Sequence, residues 1–380
     1  MGKELKNPFV LSGYYGPKYF CDRIQETNTI VQAIKNKSNL TLIGHRRLGK
    51  TGLIKHVFNT IGKDFVCIYS DLLPTQDLNT FTGQMIKSIT RQLTESTGMG
   101  KRVWKWIKSL RPSITFDALS GEPQISLRDT NADNQKRTID ELFQILESLD
   151  KPVLIALDEF QQIHAYPEDW LEAWIRSEIQ SLKNVNFIFS GSQMSILSDM
   201  FNKPANPFYH STQFLSLEKI RLPEYAAFIS SHFQSGRILI KDADIDYILD
   251  WTRGYTFYVQ SVFNRIYRFG AKTINRDEIN SQLELLLDEM AVIFYQYREL
   301  LTVFQWNLLK YIALEEVVRQ PTGKDFLSKY NLGNSASVKR ALEALEEKEM
   351  LLVQIDENGQ KNYSVYDTFL LRWLQRIYIY

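Results

Sequence analysis

The chain has 380 residues, 44% hydrophobic and 23% charged, and 45 Lys plus Arg against 44 Asp plus Glu leave a net charge of +1. This composition excludes a largely disordered chain, and the near-neutral balance excludes a global affinity for polyanions, so any nucleic-acid contact needs a local patch. No apolar run reaches the roughly 20 residues that span a bilayer, so no membrane partner is expected. The N-terminal Met-Gly-Lys-Glu-Leu-Lys lacks the apolar core of a signal peptide, and Lys6 stands where a myristoylation signal has Ser or Thr. Cys21 and Cys67 are too few and too isolated for a disulfide framework or a metal site. The expected protein is soluble and cytoplasmic, and its length implies two or three domains.

Taken in chain order, Pro8, Gly13 and Tyr14-Tyr15-Gly16-Pro17 mark turns, and Ile30, Val31 and Ile34 give the stretch from Ile24 helical spacing. Asn39–Gly44 reads as a short apolar strand, followed by a glycine-bearing loop and a helix from Lys50 to Thr60. A second buried strand runs Phe65–Leu72, and the long helix after it is expected to be capped by Thr75, with Asp77 and Asp71 near its start. Residues 111–135, polar around Gly121-Glu122-Pro123, read as a hairpin or excursion outside the core. Strands resume at Val153–Phe160 and Asn186–Ser192, separated by a helix from about Glu168 to Leu182, and Phe214–Ile220 reads as an edge segment. Such alternation implies a parallel sheet covered on both faces. From Pro223 to about Tyr297 the pattern is helical. Three further helices follow, near 301–314, 322–330 and 335–348, and then two strands joined by Asp356-Glu357-Asn358-Gly359. Three helices and a hairpin make a winged helix-turn-helix, closed by an amphipathic helix from Asp367 to Ile377.

The most informative residues are Gly44, His45, Arg46, Arg47, Leu48, Gly49, Lys50 and Thr51, which match the P-loop pattern G-x-x-x-x-G-K-[ST]; with Gly52 they form the expected nucleotide-binding stretch. Glycines let the backbone curl and present successive N–H groups to phosphate, and the helix starting at the end of the loop adds unpaired amides and its dipole. Lys50 is expected on the β- and γ-phosphates of ATP, and the Thr51 hydroxyl on Mg²⁺.

Five apolar residues followed by Asp158 and Glu159 place two acids at the carboxyl end of a buried strand, where ligands bind in open α/β sheets. Asp158 is the candidate second ligand of Mg²⁺, and Glu159 the candidate base for the attacking water. Ser192 and Gln193, after the third strand, are candidate sensors of the γ-phosphate, although small polar residues are common at strand ends. Arg46 and Arg47 suit phosphate neutralisation, pairing with nearby acids, or exposure to solvent. Arg176, in the helix before that strand, is a candidate arginine finger for a neighbouring subunit's nucleotide.

With these motifs the chain resembles the archaeal-type ATPase group of the AAA+ and STAND branch of P-loop NTPases, and is especially similar to bacterial members fused to a winged helix. The resemblance implies an α/β P-loop core over 1–221, a helical lid over 222–298 and a winged helix domain over 299–380. It implies that Asn7-Pro8-Phe9 and Tyr19-Phe20-Cys21-Asp22-Arg23 lie against the nucleotide base, with Phe20 as a base contact. It also assigns Phe187–Gln193 to a sensor strand and Thr252-Arg253-Gly254-Tyr255-Thr256 to a lid turn. Two departures stand out: Thr256 replaces the family's usual proline, and Phe208-Tyr209-His210-Ser211-Thr212 lacks the arginine found in many relatives.

The helix Ser335–Lys348 buries Val338, Ala341, Leu342 and Leu345 and presents Lys339 and Arg340 in its first half, the chemistry of a DNA contact. Glu343, Glu346 and Glu347 oppose that role, and residues 301–380 carry ten Lys plus Arg against ten Asp plus Glu. The sequence therefore supports an ATP-binding, Mg²⁺-dependent ATPase that switches the arrangement of core, lid and winged helix. The alternatives are a nucleotide-regulated DNA-binding protein and a signalling scaffold that assembles as a homo-oligomer.

Overall fold

The structure, a computed structural model, describes residues 5–93, 98–110, 113–116, 123–126 and 131–379. The chain forms two compact units, Ser12–Arg221 and Met1–Leu11 together with Leu222–Tyr380.

In chain order the first of these units contains strands β1 (Leu40–Ile43), β2 (Val66–Asp71), β3 (Ser113–Phe116), β4 (Pro123–Ser126), β5 (Val153–Asp158), β6 (Val185–Gly191) and β7 (Gln213–Ser216). Five of them form one sheet in the order β2-β5-β6-β1-β7, with parallel pairing throughout. Strands β5 and β6 are buried at every position, as expected of apolar runs covered on both faces. Strand β7 is the exposed edge. Because the strands are parallel, their carboxyl ends share one border. Register places Asp71 opposite Asp158 and Ile43 opposite Gly191, so the loop after β1 meets the ends of β5 and β6 there.

The long helix after β2, Leu78–Gln92, is capped by Asp77 rather than Thr75. Extended backbone at Asp77 lets its carboxylate accept the Thr80 amide at 2.8 Å, while Thr80 Oγ1 accepts the Asp77 amide at 3.1 Å. Thr75 is buried instead. Strand β5 stops at Asp158, two residues before the expected Phe160, because Glu159 turns left-handed (φ 54°) and Phe160 begins a 3-10 helix. Of the 111–135 excursion, strands β3 and β4 form the expected antiparallel hairpin, with Ile114 opposite Ile125. Gly121 and Glu122 lie outside the described residues. Two helices that the sequence does not predict flank the hairpin, Gly98–Ser109 and Ala132–Glu147, the second capped by Asn131.

The other unit begins with residues that the sequence boundary assigns to the core. Asn7 Nδ2 donates to the Asn264 carbonyl at 2.8 Å, and Asn264 Nδ2 returns a bond to the Phe9 carbonyl at 2.6 Å. Phe9 is fully buried, 5.4 to 5.8 Å from the rings of Phe263, Phe233, His232 and Tyr267. Helices Leu222–Ser235, Asp242–Trp251, Thr256–Phe269 and Arg276–Glu299 follow. Next come helices Val303–Glu315, Lys324–Lys329 and Ser335–Glu347, and the hairpin β8 (Leu351–Ile355) and β9 (Lys361–Val365). Val318 pairs with Tyr363 in an isolated antiparallel bridge beside this hairpin.

The final helix, Thr368–Ile379, ties the two halves of this unit together. Trp373 packs on Phe294, Tyr295 and Trp306, and Phe369 on Tyr258. Arg372 donates to the Trp251 carbonyl at 3.0 Å and pairs with Glu316, while Arg376 pairs with Glu284 and Asp288. Among the described residues no helix is long and apolar enough to cross a membrane.

Candidate nucleotide site

The loop between β1 and helix Lys50–Ile61 curls through two left-handed residues, Arg47 (φ 72°) and Gly49 (φ 96°). Gly49 accommodates this without strain, and its carbonyl accepts the Leu53 amide at 2.9 Å to start the helix. Gly44 is required by close approach: a Cβ there would stand 2.9 Å from the Leu217 carbonyl oxygen. Arg23, itself left-handed and buried, braces the loop from below by donating to the Leu48 carbonyl at 3.3 Å and to Glu26 at 2.7 Å.

Lys50 is buried, and its Nζ folds back onto the carbonyls of Gly44 (2.6 Å) and His45 (3.2 Å). Burial pulls its pKa below the usual lysine range, opposed by the charges of Glu159 and Asp158. Burial likewise lowers the pKa of the His45 imidazole. Thr51 Oγ1 donates to Asp158 Oδ2 at 2.6 Å, which joins the P-loop to the tip of β5. That oxygen also accepts from Tyr69 of β2 at 2.8 Å, and Oδ1 accepts the Glu159 amide at 3.2 Å. Asp71, next to Asp158 across β2 and β5, has its pKa raised by burial and by the charges of Asp158 and Glu159.

Glu159 is oriented by neighbours on two elements. Its Oε2 accepts from Gln161 Nε2 at 2.5 Å and from Ser192 Oγ at 2.8 Å, and Arg46 Nε donates to Ser192 Oγ at 3.2 Å. Arg46, Ser192 and Glu159 thus form one chain, in which Arg46 meets the sensor position instead of solvent. Tyr69 and Gln161 are site residues that the sequence does not announce. A tyrosine in an apolar strand and a glutamine two residues past the acids carry no spacing signal of their own.

The donor set bears on which metal fits. Among the described residues no three His, Cys, Asp or Glu side chains converge as a metal site. One hydroxyl and one carboxylate in contact suit an ion that brings its own waters and phosphate oxygens, which is how Mg²⁺ is held beside nucleotides. They do not suit a structural zinc site.

Of the remaining expected residues, Phe20 and Arg176 belong to the same unit as this centre and Lys339 to the other. Phe20 stacks on His56 (4.3 Å, 16°), with Tyr14 edge-on to Phe20 and bonded through its hydroxyl to His56 Nδ1 at 2.8 Å. A Cβ on Gly52 would lie 3.5 Å from the Phe20 ring, so Phe20 covers the first turn of the P-loop helix. Arg176 lies on helix Leu171–Ser181, where its Nε is shielded and has no hydrogen-bond partner among the described residues. In the winged helix, Lys339 is 74% exposed and 4.0 Å from Glu343. Nearby is a cavity of about 380 Å³ lined by Arg319, Lys339 and Lys361 but also by Glu343 and Glu346.

Residues 33–199 match the family model described as an AAA domain, and residues 292–376 match the model described as a probable winged helix domain. The fold is therefore an α/β core carrying a P-loop and matched to an AAA domain, followed by a stretch matched to a winged helix domain. No curated protein matches the chain. Among solved structures it is similar in fold to a Walker-type ATPase of Pyrococcus abyssi, with a TM-score of 0.66 and 17% identity over 97% of this chain and 99% of that one. It is also similar to the Aeropyrum pernix ORC2 protein in ADPNP–ADP complexes (TM-score 0.58, 16% identity, 97% and 96% covered). The Aeropyrum pernix ORC1 protein in complex with DNA shares the fold as well (TM-score 0.53, 14% identity, 99% and 98% covered).

Proposed function

We propose that this protein is a cytoplasmic ATPase of the STAND branch, binding ATP with Mg²⁺ and using turnover to switch the arrangement of core, lid and winged helix. The observation that carries this reading is the 2.6 Å bond from Thr51 to Asp158, which brings the end of the phosphate loop to the acid-bearing strand tip.

On this reading the amides of Gly44–Thr51 and the first turn of helix Lys50–Ile61 cradle the phosphates. Lys50 leaves the carbonyls of Gly44 and His45 for the β- and γ-phosphates. Thr51 and Asp158 would hold Mg²⁺, which when bound neutralises phosphate charge. Glu159 accepts a proton from the attacking water. Ser192, tied to both Arg46 and Glu159, reports the γ-phosphate to that carboxylate. Phe20 is the base contact and Arg176 the finger in a homo-oligomer. Isothermal titration with ATP and MgCl₂ tests the first step, and folded protein that takes up no nucleotide ends the reading. Lys50→Ala should abolish binding or turnover, whereas Glu159→Gln should bind ATP and stop hydrolysing it.

A second reading, nucleotide-regulated DNA binding, is favoured by the exposed Lys339 beside Arg319 and Lys361 on the wing face. It is also favoured by the fold shared with an ORC1 protein solved on DNA. Its test is a gel shift at low salt, lost on changing both Lys339 and Arg340 to Glu. Wild-type protein that shifts no DNA removes this reading.

A further inference from the structure

Tyr69 belongs to none of the motifs above, yet it touches the same carboxylate oxygen as Thr51. Its reach follows from register. Tyr69 stands opposite Ala156, and Ala156 and Asp158 point to the same face of β5. The alanine methyl leaves room for a ring whose hydroxyl ends on Asp158 Oδ2.

The ring has a second contact. Lys55 Nζ lies 3.5 Å from the Tyr69 ring centroid, close for a cation over an aromatic face. Lys55 follows Thr51 by one helical turn, so both project from one face of helix Lys50–Ile61. That face therefore grips the Tyr69–Asp158 pair twice, at the carboxylate through Thr51 and at the ring through Lys55. With two hydroxyls on Oδ2 and the Glu159 amide on Oδ1, the plane of the carboxylate is held in one orientation towards an incoming ion or its water shell.

We propose that Tyr69, braced by Lys55, is a positioning residue that fixes the orientation in which the Asp158 carboxylate meets the magnesium of a bound Mg–nucleotide. This rests on the nucleotide reading above. Partners that orient a metal ligand commonly contribute roughly ten- to a hundredfold in metal affinity.

Tyr69→Phe keeps the ring and deletes only the hydroxyl. On the full chain, ATP affinity is measured by isothermal titration in EDTA, and Mn²⁺ affinity of the protein–ATP complex by electron paramagnetic resonance. The expected result is unchanged ATP affinity in EDTA and Mn²⁺ affinity weakened roughly tenfold. Lys55→Leu should weaken Mn²⁺ binding in the same direction by less, and Lys55→Arg, which keeps a cation on the ring, should restore it. Unchanged Mn²⁺ affinity in Tyr69→Phe, or an equal loss of ATP affinity in EDTA, overturns the proposal. Should Tyr69→Phe not fold by circular dichroism, equal Mn²⁺ affinities in Lys55→Leu and Lys55→Arg overturn it instead. Wild-type protein that binds no ATP in either buffer fails the nucleotide reading itself and takes this proposal with it. Wild-type ATP and Mn²⁺ binding matched by Tyr69→Phe removes only the role of Tyr69.

Discussion

The Ser192 hydroxyl donates to Glu159 Oε2 at 2.8 Å, linking the loop after β6 to the acid after β5. The Gln161 amide donates to the same oxygen at 2.5 Å, so a carboxylate proposed to take a proton from water already accepts two hydrogen bonds. Both donors hold the carboxylate in one orientation. Gln161→Ala should therefore lower kcat a few-fold and leave ATP affinity unchanged, as measured by steady-state phosphate release with a parallel binding titration. An unchanged kcat would mean that Ser192 alone orients Glu159.

Gly191 is packed against the same glutamine. A Cβ at this position would stand 2.0 Å from Gln161 Oε1 and 2.5 Å from Leu197 Cδ1, both far inside contact distance. Gly191→Ala must displace Gln161 or move Leu197, and overpacking of this kind costs about 1–3 kcal/mol. Urea unfolding of wild type and variant should show that loss as a lower midpoint with an unchanged slope.

Arg253 couples two parts of the second unit. From a left-handed turn (φ 55°) it donates to the Val365 carbonyl and to Ser364 Oγ, each at 3.2 Å, and so joins the Thr252–Thr256 turn to strand β9. Arg253→Met keeps much of the aliphatic stem and removes two charged donors, with an expected loss of about 1–3 kcal/mol. Thermal unfolding by calorimetry checks this, and a variant as stable as wild type would show that the terminal helix alone holds the turn to the wing.

Lys55 makes stability depend on pH in a predictable direction. Burial brings its pKa down to about 8 from 10.5, partly opposed by the charge of Asp158. Between those two values the unfolded chain holds a proton that the folded chain has released, so Lys55 adds stability as pH rises through that window. Below pH 8 both states are charged and the burial cost is borne in full. Relative to Lys55→Met, wild type should gain melting temperature between pH 8 and 10, as followed by circular dichroism. A constant gap across that range would exclude the depressed value.

Much of the architecture is legible in the sequence because it rests on local periodicity and spacing. The apolar run Val153–Leu157 and the loop Gly44–Thr51 announce a buried strand and a phosphate cradle within a handful of residues. The stripe Val338, Ala341, Leu342 and Leu345 is buried as helical spacing requires. Helices Gly98–Ser109 and Ala132–Glu147 are not legible beside a polar, turn-rich stretch. The cap falls on Asp77, two residues past the expected Thr75, because both side chains offer the same cap chemistry and only backbone geometry chooses between them.

The sequence alone determined the residue types of the centre: Lys50, Thr51, Asp158 and Glu159 each follow from a motif or from the end of an apolar run. Tertiary structure alone decided their partners. Tyr69 reaches Asp158 across a strand pairing 89 residues apart in sequence, and Phe9 enters a helical core more than 220 residues further on. The physical reason is that parallel strands are paired through long crossovers, so which side chains face each other is set by register between distant segments, and no local pattern encodes it.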